Sequence, residues 1–202
     1  MDVLLALSRA IDAFTERVGR IVYWLVLIVV LISAANATVR KAFDYSSNAY
    51  LEIQWYLFSV TFLFGAGYTL LRNEHVRIDI LSQRFSPRLQ NWIDAIGIVL
   101  FLLPMSIILM WLGWPLFVDS YVRHEVSTNA GGLTIWPARL MIPVGFALLI
   151  IQAISELIKR VAFLTGDGPD PLVKRHEKSA EQELAEEIAR QRSDAPVEGE
   201  QR

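Results

Sequence analysis

Four long apolar stretches dominate this chain, at about Ile21–Val39, Tyr50–Leu71, Leu89–Leu112 and Leu133–Ile158. Each meets or exceeds the roughly 20 residues a helix needs to cross a hydrocarbon core of about 30 Å. A soluble domain would show one-sided helices or alternating strands. Here the apolar character runs all round each stretch, as lipid-facing helices require. The fold class that follows is all-α: a polytopic membrane protein with four transmembrane helices. Of the 202 residues, 53% are hydrophobic, and four spans leave no length for a separate soluble core. Cysteine is absent, which removes disulfides, thiolate nucleophiles and Cys-ligated metal centres.

Three parts are expected along the chain: residues 1–20, a four-span body over 21–161, and a polar tail over 162–202. Lys and Arg number 13 against 11 acidic residues up to Leu164, but 6 against 10 from Thr165 onward. The body is mildly basic and the tail acidic, a distribution that offers nothing to nucleic acid. Nine basic residues (Arg9, Arg17, Arg20, Arg72, Arg77, Arg84, Arg88, Lys159 and Arg160) fall on one face of the spans. Four (Arg40, Lys41, Arg123 and Arg139) fall on the other. The positive-inside rule places both termini and the middle loop in the cytoplasm. Tryptophans mark the boundaries, with Trp24 and Trp92 near inner ends and Trp55, Trp111, Trp114 and Trp136 near outer ends; indoles favour the headgroup level.

Before the first span, Leu4, Leu7, Ile11, Phe14 and Val18 share one helical face, with Arg9, Asp12, Glu16 and Arg17 elsewhere. This spacing predicts an amphipathic helix lying on the inner membrane surface. A cleaved leader is the competing reading, because Ala35-Asn36-Ala37 resembles a small-residue cleavage site. The apolar run exceeds a usual leader, and Asp2, Asp12 and Glu16 dilute its basic start.

Polar residues are sparse within the spans. Asn36 and Thr38 sit late in the first, Glu52 and Gln54 early in the second, and Asp94 early in the third. A charge costs about 2.5–3.5 kcal/mol at a helix centre and less toward the edges. Glu52 is expected either to meet water or a neighbouring helix, or to contact a partner or Arg123 or Arg139 on the same outer side. Pro104 in apolar surroundings predicts a kink, and Pro115 is a candidate end of the third span, whose apolar character runs on through Phe117. Gly65-Ala66-Gly67 and Gly145-Phe146-Ala147 offer small surfaces for close helix contact. Ser86-Pro87 and Trp136-Pro137 read as helix starts, and Gly131-Gly132 as a turn.

Between spans two and three, Arg72, His75, Arg77 and Asp79 form either a docking patch or an ordinary basic inner loop. His75, His124 and His176 all lie outside the spans, so two facing axial ligands for a haem are unavailable. No catalytic set, phosphate loop or metal-spaced cluster is visible, and no enzyme activity or cofactor is expected. In the tail, Lys174–Arg192 has helix-friendly composition with a thin apolar edge at Leu184 and Ile188.

Three runs carry a family resemblance. They are Glu52-Ile53-Gln54-Trp55-Tyr56 with Phe64-Gly65-Ala66-Gly67-Tyr68; Arg72-Asn73-Glu74-His75-Val76-Arg77-Ile78-Asp79-Ile80-Leu81; and Trp136-Pro137-Ala138-Arg139-Leu140-Met141-Ile142-Pro143-Val144-Gly145-Phe146. Over about Ile21–Val161 the chain resembles the DctQ-type small permease subunit of tripartite ATP-independent periplasmic (TRAP) transporters. The resemblance implies a bacterial inner-membrane scaffold beside a large transport subunit. It also implies a periplasmic binding protein that delivers a small organic acid, and uptake driven by sodium. It marks Glu52, Gln54, Trp55, Gly65, Gly67, Arg72, His75, Arg77, Asp79, Trp136, Arg139, Pro143 and Gly145 as motif or partner-interface residues. Two other functions stay open here: a homodimeric exporter that uses Glu52 as a proton switch, and a membrane anchor for an enzyme complex.

Overall fold

The computed structural model describes residues 1–43, 48–72 and 85–172. Every regular element among them is helical, and strand pairing is limited to one bridge between Val126 and Thr134. Helix α1 spans Asp2–Phe43 without a break. Asp2 in its first turn and Arg40 and Lys41 in its last complement the helix dipole. The amphipathic segment over residues 1–20 is therefore the first half of one 42-residue helix, not an element of its own. At 1.5 Å per residue the whole is about 63 Å long.

Helix α2 covers Asn48–Arg72. Helix α3, Pro87–Gly97, starts where Ser86-Pro87 predicts: the Ser86 hydroxyl accepts from the Leu89 amide and Pro87 opens the first turn. A π-helical turn at Ile98–Leu102 joins it to α4, Leu103–Val122. Pro104 follows at once. Its ring displaces the carbonyl four residues back and supplies no N–H, and a widened turn absorbs that misfit. Pro115 ends nothing, because α4 runs through it to Val122. Reversal comes instead at Arg123 and at His124, whose φ is 51°. Helix α5 covers Trp136–Thr165, with Leu133 left in the preceding loop. It closes at Gly166, whose φ of 85° suits glycine, with Asp167 N–H donating to the Ala162 carbonyl at 2.9 Å.

Among the described residues, three helical stretches are long and apolar enough to cross a membrane: α1, the continuous Pro87–Val122 and α5. Helix α2, with 25 residues, has the length, but Glu52, Gln54, Ser59, Thr61 and Thr69 dilute its apolar character. Large apolar side chains such as Tyr23, Phe62, Phe101 and Trp111 point outward, as expected where the solvent is lipid.

Helix α5 is the hub. It packs against α1, α2, α3 and α4, while α1 and α2 also pack on each other. The contacts need small residues. A Cβ on Gly145 would lie 2.6 Å from Leu63 Cβ on α2, so only glycine permits that approach. Gly19 of α1 lies under the Tyr68 ring in the same way. Toward the Arg72 end of α2, Leu70, Ile98 and Ala153 form an apolar cluster with Leu102, Leu103, Leu149 and Leu157 around it.

Candidate functional site: two polar ends of one bundle

Charged groups collect at the two ends of the bundle. At one end the N-terminal half of α1 lies against the C-terminal half of α5. Thr15 donates to the Gln152 side-chain oxygen at 2.7 Å, and Gln152 donates to Asp12 at 3.0 Å. Ser155 donates to Asp12 at 2.7 Å, and its hydroxyl lies 2.7 Å from that of Ser8. From there an alternating chain of charges crosses three helices. Asp12 takes Lys159 at 3.0 Å, and Lys159 also meets Glu156. Glu156 takes Arg160 at 2.5 Å, and Arg160 reaches Asp94 of α3 at 3.3 Å. Arg160 is 0% exposed and Glu156 1%, so neither charge can fall back on solvent. Breaking a buried pair costs about 3–5 kcal/mol when the remaining charge has no other partner; here Lys159 on Glu156 and Asp94 on Arg160 would offset part of that. Nearby, Arg72 at the end of α2 pairs with Glu16 at 2.6 Å and covers the Tyr68 ring.

Past Gly166 the chain folds back over this end. Asn91, fully buried on α3, donates to Asp170 at 3.0 Å, and Asp170 also accepts the Leu172 amide at 2.9 Å. Leu172 is buried in turn.

The opposite end is organised around one carboxylate. Glu52, buried near the start of α2, accepts from the Ser127 hydroxyl, from Asn129 at 2.9 Å and from the Leu133 amide at 2.6 Å. All three donors belong to the loop between α4 and α5. Asn48 and Tyr56 add bonds to the Ala130 and Thr134 carbonyls. The Gly132 backbone lies so close that a Cβ there would come within 2.9 Å of Glu52 Oε1. Outside this clasp Arg139 pairs with Glu125 at 2.6 Å, and Arg123 with Asp119 at 2.7 Å. Glu52 is thus a loop anchor. The expected pairing with Arg123 or Arg139 does not form, because both arginines have acids of their own. Glu52 and Arg72 stand twenty residues apart on α2, about 30 Å at 1.5 Å per residue, so the two polar ends are one hydrocarbon thickness apart.

The other residues marked in the sequence scatter along this frame. A Cβ on Gly65 would lie 3.7 Å from Val22, and one on Gly67 3.7 Å from the Leu148 carbonyl and 3.8 Å from Thr15, ordinary contact distances, so both face neighbouring helices of the chain without requiring glycine. Pro143 lies 3.3 Å from the Cβ position of Gly113, next to Gly145 in the α4–α5 and α2–α5 contacts. Trp136 stacks edge-on against Tyr121 at 5.5 Å. Trp55 points outward, while the Gln54 amide nitrogen is buried without an acceptor among the described residues. His75, Arg77 and Asp79 lie outside the described residues.

The polar seam on α1 and α5 escaped the sequence reading. Gln152 and Glu156 sit inside the apolar run Leu133–Ile158, and Lys159 and Arg160 read there as ordinary flanking charges. A signal was present. Gln152, Ser155, Glu156, Lys159 and Arg160 follow i, i+3, i+4, i+7, i+8 spacing, and Ser8, Asp12, Thr15 and Gly19 form the matching stripe on α1.

The profile of the family described as tripartite ATP-independent periplasmic transporters, DctQ component, matches residues 29–163. Neither the curated proteins nor the solved structures yielded a match. The matched stretch covers most of the chain, including α2, the Glu52 loop and α5 as far as Phe163, and the family is one of transporter components rather than enzymes. The chain belongs to the DctQ component family of the tripartite ATP-independent periplasmic transporters.

Proposed function

We propose that this chain is the small membrane subunit of a TRAP transporter and acts as a scaffold. It stands beside the large transport subunit while a periplasmic binding protein delivers a small organic acid and a sodium gradient drives uptake. All four helical segments cross the bacterial inner membrane in this reading, with the charged end and both termini in the cytoplasm and the Glu52 loop in the periplasm. The 30 Å between Glu52 and Arg72 supports a crossing by α2 despite its polar content. The N-terminal half of α1 then descends to the cytoplasmic face docked on α5.

The observation that carries the scaffold role is the use of the buried charges. Glu52, Glu156 and Arg160 are the charged side chains the described structure buries: Glu52 is bonded to the α4–α5 loop, Arg160 to Asp94 of α3, and Glu156 to Lys159 and Arg160 of its own helix, which reach α1 and α3 in turn. Such groups brace helices and loops. A transported anion needs a place near mid-depth, where here Gly145 packs on Leu63. A Glu52 proton switch loses its basis, since that carboxylate is engaged by three loop donors.

The test is reconstitution. The large subunit and binding protein with this chain should take up an organic acid when sodium is imposed, and this chain alone should not. The chain should also co-purify with the large subunit in mild detergent. Sodium-coupled uptake by vesicles that hold this chain alone would overturn the proposal.

A further inference from the structure

Outward from the seam, the N-terminal half of α1 carries a second pattern. The basic residues of the charged end divide into two groups. Arg72, Lys159 and Arg160 all pair with acids. Arg9, Arg17 and Arg20 of α1 and Arg88 of α3 are exposed and pair with no acidic side chain among the described residues. Burial of Ser8, Thr15, Gly19 and Val22 fixes which side of α1 faces the bundle. Arg17, Arg20 and Trp24, spaced i, i+3, i+7, lie together on the other side, and Trp24 is 64% exposed. Phe14 and Ile21 flank them and are exposed as well.

The height of this face is set by its neighbours. Glu16 bonds Arg72, which marks the polar level at the end of α2. Arg17 and Arg20 are one and four residues further along α1, within about 6 Å of that level. Apolar side chains continue above them and the charged network lies beside and below. A phosphate at that height would meet two guanidinium groups, with acyl chains lying along Phe14, Ile21 and Trp24. Arginine suits phosphate because its planar fork can offer two parallel N–H donors, and indole suits the boundary.

We propose that this face of α1 binds an acidic phospholipid of the inner leaflet, with Arg17 and Arg20 holding the phosphate and Phe14, Ile21 and Trp24 the chains. Charge complementarity selects the occupant. The face also continues directly from the lipid-facing side of the spanning half of α1. The proposal rests on the membrane reading of the chain, not on its partners.

The full chain purified into mixed micelles of equal parts phosphatidylglycerol and phosphatidylcholine gives the test, read as bound lipid per protein by native mass spectrometry. The unaltered chain should retain phosphatidylglycerol preferentially and gain thermal stability from it. The variant Arg17→Gln/Arg20→Gln should lose that retention by about tenfold or more, and Arg40→Gln/Lys41→Gln at the far end of α1 should not. Equal retention in both double variants, or no preference in the unaltered chain, overturns the site. Should Arg17→Gln/Arg20→Gln fail to fold, the thermal shift of the unaltered chain in phosphatidylglycerol against phosphatidylcholine decides the matter. Micelles have no sides, so the result stands or falls apart from the orientation and from the scaffold role.

Discussion

The two ends of this bundle solve one problem in opposite ways. At the charged end the helices bind each other directly. Side chains of α1, α3 and α5 form an unbroken series from Thr15 and Ser8 through Asp12, Lys159, Glu156 and Arg160 to Asp94. At the loop end the helices are tied through a connector: Glu52 of α2 holds Ser127, Asn129 and Leu133 of the α4–α5 loop. The difference reflects where backbone groups go unpaired. A loop at a membrane boundary exposes amides and carbonyls, and one carboxylate on a rigid helix can gather several of them. Helices have no free amides in mid-course, so their union at the charged end falls to side chains. Loss of a link should therefore be global at the charged end and local at the loop end.

Arg160→Met puts this contrast under the greatest load. It takes one buried partner from Glu156, which keeps Lys159, and one from Asp94, and should cost about 3 kcal/mol, read as a fall in the melting temperature of the purified protein. Adding Glu156→Gln should recover part of that loss, because the under-compensated carboxylate goes with it; a cost for the double variant equal to the sum for Arg160→Met and Glu156→Gln alone would mean that the two residues are not coupled. Gly145→Val probes the contact between the two ends. Its new side chain must displace Leu63, for about 1–3 kcal/mol of strain, and a variant as stable as the parent would mean that α2 and α5 stand further apart. Glu52→Ala should leave the melting temperature nearer to the parent than Arg160→Met does. It should speed proteolysis within 125–135 markedly; unchanged cleavage there would remove the anchor role. Arg139→Gln should change least, about 0–1 kcal/mol, since its pair with Glu125 is partly exposed.

Much of this architecture can be read in the sequence, for a physical reason. Long apolar runs have few folded outcomes, and Ser86-Pro87 and Trp136-Pro137 state helix starts in local chemistry. What could not be read is which face of a helix meets which neighbour. Leu4, Leu7 and Phe14 suggest a face for lipid, and they are exposed as that implies. The opposite inference failed in part: Arg9 and Arg17 stay exposed, but Asp12 goes to α5 and Glu16 to Arg72 rather than to water. In a protein surrounded by lipid, hydrogen-bonding groups gain most from each other, so a polar stripe can be the packing face. Arg160 illustrates the same limit. Its place after an apolar run reads as a flanking charge; the spacing to Glu156 is in the sequence, but only the fold shows both side chains buried and Asp94 across from them.

The decisive feature is the docking of the N-terminal half of α1 on the last helix. The hydroxyls of Ser8 and Ser155 lie 2.7 Å apart, and the chain contains no cysteine. Ser8→Cys/Ser155→Cys therefore places the only two thiols at that contact. In native membranes mild oxidation should close them into a disulfide within one chain, seen as loss of both thiols to maleimide labelling and their return after reduction. Two thiols that stay fully labelled under oxidation, or that join only between chains, would contradict the packing on which this account depends.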